Sequence, residues 1–109
     1  MNDLANNNCI ACNNLTPRLS AEEADHLLTQ TQGWEIINGH HLFKKWGFEN
    51  FIKPLKIVNA IAELAEKEGH HPNINFGWGF LEITIWTHAI NGLSKNDFIL
   101  AAKIDEVLY

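Results

Sequence analysis

The sequence has little positive charge and no long apolar run. Eight lysine and arginine residues stand against thirteen acidic ones, which gives a formal net charge of −5 at pH 7. Nucleic-acid-binding proteins usually carry clustered basic residues that neutralise phosphates, and this chain has no such cluster. No apolar stretch approaches the roughly 20 residues that a membrane-spanning helix needs. We therefore expect neither nucleic acid nor a membrane among its partners.

A secretion signal is also missing from the N-terminal segment Met1–Asn14. This segment has no basic start and no sustained apolar run. We therefore expect a cytoplasmic protein. With 109 residues, of which 46% are hydrophobic, the chain has the size and composition of a single globular domain.

Cysteine is scarce, and the only two residues form a C-x-x-C motif at Cys9 and Cys12. A structural zinc ion needs four ligands, and no second cysteine pair follows. A thioredoxin-like redox pair would need a helix N-terminus to lower a thiol pKa, and the Asn-rich flanks offer none. We predict a mobile Asn-rich tail over residues 1–16, in which both cysteines are dispensable, and one domain over residues 17–109.

The remaining pattern predicts an α+β fold. Helix-capping and turn signals occur, in chain order, at Ser20 with Glu23, at Asn38-Gly39, at Asn50, and at Ser94 with Asp97. Alternating apolar residues predict two strands around Asn38-Gly39 and two more between residues 73 and 88. The order α-β-β-α-β-β-α indicates a four-stranded antiparallel sheet with helices packed on one face. The order of the strands across the sheet stays open.

The predicted second helix has an unusually wide apolar arc. Ile57, Ile61 and Leu64 form a row beside the row that would face the sheet. A surface helix normally shows an apolar stripe of about 100°. A helix from another subunit is our preferred explanation for the second row, and deep burial within one chain is the alternative.

Unusual chemistry is concentrated in the segment 66–97. The motif reads Glu66-x-x-x-His70-His71-Pro72, followed by Trp78, His88 and Asp97. Proline disfavours helical geometry at the residue before it, so a helix through Glu66 should end near Gly69. Two histidines then stand at the helix exit. A neutral imidazole can both donate and accept a proton near neutral pH.

This motif resembles the signature of the pterin-4a-carbinolamine dehydratases. Similar residues at Gly33-Trp34, Phe43-Lys44 and Gly92-Leu93-Ser94 extend the resemblance over about residues 17 to 108. It implies a hydro-lyase that converts 4a-hydroxytetrahydropterin (tetrahydrobiopterin-4a-carbinolamine) to quinonoid dihydropterin and water. Such an enzyme recycles the pterin cofactor of aromatic amino-acid hydroxylation. The resemblance further implies no cofactor or metal, a homodimer or homotetramer, and an aromatic amino-acid hydroxylase as pathway partner.

The resemblance also implies site residues. His70, His71 and His88 should converge on the pterin, and we hypothesise that His70 supplies the acid and His88 the base. Glu66 lies one helical turn before His70 and is predicted to orient its ring. Asp97 supports the site, or serves only as a helix cap. The predicted substrate contacts are Trp34, Gly69, Trp86, Thr87 and Ala89.

Several alternatives stay open at this stage. His70, His71 and His88 could hold a metal ion, or the adjacent pair could merely cap the helix end by hydrogen bonds. The chain could be a non-enzymatic protein-binding or coactivator module on the same fold. Trp34 could be an ordinary core residue. A second histidine pair, His40-His41, borders the predicted hairpin turn and is expected at the surface.

Overall fold

The computed structural model describes residues 4–10 and 12–108 of the chain. Across these residues the chain forms three α-helices, four strands and two short 3₁₀ turns. Their bounds are α1 Ala21–Leu28, β1 Glu35–Ile37, β2 His41–Gly47, α2 Ile52–Glu68, β3 Asn73–Gly77, β4 Phe80–Ile85 and α3 Lys95–Leu108, with the 3₁₀ turns at Leu4–Asn6 and His88–Ile90. The predicted α+β class is confirmed. None of the described helices is long and apolar enough to cross a bilayer.

Short sequence motifs determine where α1 begins and where the first hairpin turns. The Ser20 side chain accepts from the Glu23 backbone N–H, and the Glu23 carboxylate accepts from the Ser20 backbone N–H, which completes the capping box of α1. Asn38 and Gly39 have φ values of 55° and 63°. A tight hairpin turn requires this left-handed geometry, and Asn-Gly adopts it at little cost.

The second helix has defined stops at both ends. The Asn50 side chain accepts from the Lys53 backbone N–H at 2.8 Å, so it satisfies one of the donors that a helix start leaves unpaired. Gly69 ends the helix in a left-handed conformation with φ 66°, and its N–H donates to the Ala65 carbonyl. The chain therefore leaves α2 immediately before His70, as predicted.

The sheet has the strand order β1-β2-β4-β3, and each neighbouring pair is antiparallel. Because β4 lies between β2 and β3, its inward side chains Leu81, Ile83 and Ile85 are fully buried under the helices. On the opposite face, Lys45 and Glu82 form a partly exposed ion pair at 3.5 Å. The helices thus cover one face of the sheet, as predicted.

A polar contact inside this layer settles the position of Trp34. Its side chain is 5% exposed, and its indole Nε1–H donates to the Asp105 carboxylate at 3.1 Å. Lys44 Nζ lies 2.9 Å from the same carboxylate, and the Trp46 ring packs edge-on against Trp34. The prediction that Trp34 contacts substrate is wrong, because this residue belongs to the core and fastens the sheet to α3.

The second apolar row of α2 also lies inside the protein. Ile61 is fully buried, and Ile57 and Leu64 pack against the same core. Deep burial therefore explains this row, and a helix from another subunit is not needed to cover it. The homodimer or homotetramer stays a prediction that no longer rests on these residues.

The N-terminal segment differs from the expected mobile tail. Leu4 is 2% exposed and belongs to the core, and the 3₁₀ turn around it lies against α3. The asparagines that surround Leu4 dominate the local composition and hide this single apolar anchor. The part of the predicted tail at residues 1–3 and 11 lies outside the described residues.

We expect Ile61→Ala to lower the free energy of unfolding by about 2–5 kcal/mol, because it leaves a cavity in a closely packed core. Urea unfolding followed by circular dichroism measures this change. Glu63→Ala, on the exposed face of the same helix, serves as the control and should alter stability little. A change in oligomeric state with unchanged monomer stability would contradict the assignment of Ile61 to the core.

Candidate active site

The carboxylate of Asp97 is the point where three segments of the chain meet. Asp97 lies in the first turn of α3 and is fully buried. Its Oδ1 lies 2.6 Å from His70 Nε2, while its Oδ2 accepts from the Ser94 backbone N–H at 2.8 Å and from the Thr87 hydroxyl at 2.9 Å. The Thr87 and Ser94 hydroxyls lie 2.7 Å apart. Asp97 therefore caps its helix and also holds a motif histidine.

This contact determines the protonation pattern of the His70 ring. An ionised carboxylate only accepts hydrogen bonds, so Nε2 of His70 must carry the hydrogen that Asp97 receives. The nitrogen that gains or loses a proton is then Nδ1. His70 is 7% exposed, so its ring is held in place by packing as well as by this bond. Such fixing of a histidine by a carboxylate is a common feature of proton-transfer sites.

Glu66 partners a different histidine from the predicted one. Its Oε2 is hydrogen-bonded to Nε2 of His71, whereas His70 binds Asp97. The side chains of His71 and Glu66 are 59% and 76% exposed, so this pair lies at the solvent side of the site. Helical spacing alone suggested that Glu66 orients His70, but Gly69 turns the chain out of the helix and removes His70 from that helical face.

His88 begins the 3₁₀ turn His88–Ile90 and does not end a strand, because β4 already stops at Ile85. Its ring stacks on Trp86 with centroids 4.3 Å apart and planes 25° apart. A ring stacked by its face keeps both nitrogens at the edge. His88 thus presents donor and acceptor atoms from an exposed position, while Trp86 supports its ring.

The second histidine pair lies closer to the site than expected. The rings of His40 and His41 lie 5.3 and 6.0 Å from Trp86, and their Nδ1 atoms lie 3.0 Å apart. His40 Nε2 also lies 2.8 Å from Asn91 Oδ1. Partial burial, and then the neighbouring His40, lower the pKa of His41. The turn signal in the sequence does not predict this contact, because only the pairing of β2 with β4 brings the hairpin beside Trp86.

An open cleft of about 320 Å³ is lined by the three motif histidines and their neighbours. Its lining residues are Cys12, Gly69, His70, His71, Pro72, Asn73, Trp86, Thr87, His88 and Ala89. The volume lies at the lower end of the roughly 300–1,000 Å³ typical of small-molecule pockets. The three motif histidines therefore share one cleft with Gly69, Trp86, Thr87 and Ala89, whereas Trp78 is 71% exposed and lies outside the lining.

Comparison with known proteins identifies the family. The profile of the pterin 4 alpha carbinolamine dehydratase family matches residues 17–107. The chain belongs to this family. A Rubrobacter xylanophilus protein whose name places it among the pterin-4-alpha-carbinolamine dehydratases is 46% identical over 107 residues, which cover 98% of this chain and 100% of that one.

Two further relatives extend the comparison of this dehydratase-family chain. Pterin-4-alpha-carbinolamine dehydratase 2, mitochondrial, from Arabidopsis thaliana is 43% identical over 110 residues, covering 96% of this chain and 59% of that protein. The crystal structure of a transcriptional coactivator/pterin dehydratase from Brucella melitensis superimposes with a TM-score of 0.78 at 26% identity. That alignment covers 84% of this chain and 98% of the other.

Two of the three cleft histidines of this family member, His70 and His71, have ring nitrogens engaged in hydrogen bonds. Within the described ranges, no group of three or more His, Cys, Asp or Glu side chains is arranged to hold a metal ion. The Nε2 atoms of His70 and His71 each face a carboxylate. Their described geometry suits proton transfer at the remaining nitrogens.

We expect Asp97→Asn to invert the tautomer of His70 or to break the cap of α3. The amide NH₂ must face either His70 Nε2, which would then have to accept, or the Ser94 and Thr87 donors. An unsatisfied buried group costs about 1–3 kcal/mol. Nitrogen chemical shifts of the His70 ring and thermal unfolding report the two outcomes. Glu106→Gln on the exposed end of α3 is the control, and an unaltered ring signal with unaltered stability would contradict the network.

We expect the stability of the protein to depend on His41 in mild acid. Since the folded state lowers the pKa of His41 below its ordinary 6.5, the unfolded state binds the proton more readily. The contribution of neutral His41 is therefore present above pH 6.5 and is lost as pH falls through the folded-state pKa. His41→Gln should lose less stability than wild type between about pH 7 and 5, whereas His26→Gln on exposed α1 should follow wild type. Parallel pH profiles for His41→Gln and wild type would refute this.

Proposed function

We propose that this protein is a 4a-hydroxytetrahydropterin dehydratase that acts by histidine acid and base catalysis. Membership of the family identifies it as an enzyme of this class. The observation that supports the catalytic assignment is the shared cleft of His70, His71 and His88, in which Asp97 holds His70. A pterin is a flat, polar ring system, and the cleft combines aromatic walls with ring nitrogens that can exchange protons.

The reaction requires one proton to be supplied and one to be removed. The bond between the ring carbon and its hydroxyl breaks as the lone pair of the neighbouring ring nitrogen forms a carbon–nitrogen double bond. An acid protonates the departing hydroxyl, so that water leaves, and a base takes the hydrogen from that nitrogen. Proton and electron counts balance without a redox partner. Two positioned groups typically contribute 10²–10⁴-fold each.

We assign the acid to His70 and the base to His88. The Asp97 carboxylate fixes the hydrogen on Nε2 of His70, so Nδ1 is the atom that delivers a proton from the charged ring. The His88 ring stacks on Trp86, and an edge nitrogen can accept a proton from the substrate. Opposite environments around two histidines suit opposite roles in one turnover.

His71 supports the site from the solvent side. Its bond to Glu66 leaves Nδ1 of His71 as the remaining nitrogen, at the rim where the cleft opens. An exposed ion pair of this kind contributes little stability, roughly 0–1 kcal/mol. We therefore assign His71 to substrate binding and proton exchange with water. Gly69 contributes only its backbone to the cleft.

A role as a coactivator is the second candidate. One solved relative carries the description transcriptional coactivator/pterin dehydratase, which unites both activities in that protein. The complete set of cleft histidines in this chain favours catalysis. Assembly into a homodimer or homotetramer and a pathway link to an aromatic amino-acid hydroxylase belong to the proposal, because both follow from the family resemblance.

We expect His70→Ala and His88→Ala each to slow dehydration by on the order of 10–10⁴-fold. Circular dichroism checks that both variants are folded, because His70→Ala also removes a donor from the buried Asp97 carboxylate. The assay follows decay of a chemically generated carbinolamine by stopped-flow absorbance. His26→Ala, an exposed histidine of α1, is the matched control and should retain the wild-type rate. The double variant should lose less than the sum of the two free-energy costs if the pair acts as a unit.

Three outcomes would count against the proposal. Wild-type turnover in either single variant would remove that histidine from catalysis. A wild-type rate that falls on addition of a chelator would favour a metal ion at the histidines. A protein that folds normally but does not accelerate dehydration would instead support the coactivator function.

A further inference from the structure

Within the N-terminal segment, here the described residues 4–10 and 12–14, the chain is bound to the start of α3 by one buried amide. Asn96 is 4% exposed. Its Oδ1 accepts from the Ile10 backbone N–H at 3.1 Å, and its Nδ2 donates to the Ile10 carbonyl at 2.7 Å. The same Nδ2 donates to Cys12 Sγ at 2.8 Å. A side chain that satisfies both backbone groups of Ile10 holds the segment as a neighbouring strand would.

A second anchor lies at the end of α2. The Cys9 backbone N–H donates to Glu68 Oε1 at 2.9 Å, and Lys103 Nζ lies 3.5 Å from Glu68 Oε2. Burial by itself would raise the pKa of Glu68, but the Cys9 N–H and Lys103 outweigh it and lower that pKa. Glu68 therefore remains a charged acceptor. With Leu4 in the core, the segment is fastened at three places.

These anchors place one of the two thiols in the cleft. Cys12 lines it together with His70, His71 and His88. Cys9 lies outside the lining and packs against the core. Burial, together with the nearby charge of Glu68, raises the pKa of Cys9 to about 12, so its thiol remains protonated and unreactive. The two cysteines of the motif thus have different surroundings, which the C-x-x-C spacing alone does not reveal.

We propose that the N-terminal segment is a wall of the pterin cleft, that Cys12 contacts the bound substrate, and that Asn96 is the positioning residue that holds this wall in place. The proposal rests on the proposed function, since it assumes that a pterin occupies the cleft. A thiol is polarisable and weakly polar, so it packs well against the face or edge of a flat heteroaromatic ring. The contact would select for ring shape and add no proton transfer.

The first experiment measures protection of Cys12 by a ligand. In Cys9→Ala, which leaves Cys12 as the only thiol, the rate of maleimide labelling is followed by mass spectrometry with and without a stable 7,8-dihydropterin. At a ligand concentration ten times Kd, labelling should slow about tenfold, because bound ligand covers the thiol. Calorimetric titration of the same variant supplies the Kd independently of activity.

The second experiment tests Asn96 through kinetics. Asn96→Ala should raise KM on the order of 3–10-fold and change kcat less than about twofold, because it loosens a binding wall and leaves the histidines in place. Cys12→Ala should show the same split. Asn59→Ala, at an exposed position of α2, is the matched control. Faster labelling of Cys12 in Cys9→Ala/Asn96→Ala would show that the wall has opened.

The outcomes separate this inference from the proposed function. If the pterin binds by calorimetry but labelling of Cys12 is not slowed, the wall proposal fails and the dehydratase proposal stands. If wild type neither binds the pterin nor turns over the carbinolamine, the proposed function fails and this inference with it. If Asn96→Ala and the control Asn59→Ala showed the same kcat and the same KM, the role of Asn96 would also be overturned. Should Asn96→Ala not fold, the protection experiment alone decides.

Discussion

The site depends on the hydrogen bonds that the buried carboxylate of Asp97 accepts. A charge without exposure to water is costly unless donors compensate it, and His70, Thr87 and Ser94 all donate to this group. These donors come from the exit of α2, from the chain beyond β4 and from the start of α3. One carboxylate accepts all three hydrogen bonds. The bonds that cap α3 therefore also set the distance between His70 and Thr87, which both line the cleft.

The two adjacent histidines show how burial divides similar residues. His70 binds a fully buried carboxylate, and His71 binds one that is mostly exposed. Breaking a buried pair is far more destabilising than breaking an exposed one. His70 is therefore a fixed part of the fold, whereas the bond of His71 to Glu66 contributes little to stability. The two histidines are adjacent in the chain, directly after the left-handed Gly69, and their rings lie in these different environments.

The cleft is assembled from segments that lie far apart in the chain. Cys12 comes from the N-terminal segment, the histidine pair from the end of α2, and Trp86 with His88 from the chain after β4. The rings of the hairpin histidines His40 and His41 also contact Trp86. Two of these lining residues, His70 and Cys12, are hydrogen-bonded to Asp97 and Asn96 of α3, so the geometry of the cleft depends on how this helix packs in the domain.

Sequence alone determined the helix and strand order, the capping box at Ser20 and the Asn38-Gly39 turn, because caps, turns and alternation act between near neighbours. The motif histidines came from the resemblance to the family signature. The partners of those histidines were a different matter. Helical spacing favoured Glu66 for His70, and composition suggested a mobile segment around Cys12. In the tertiary structure the partner of His70 is Asp97. Trp34 and Ile61 lie in the core, and Asn96 holds Cys12 at the cleft. These contacts join residues 27 to 84 positions apart, and only the packed strand order brings such residues within hydrogen-bond distance.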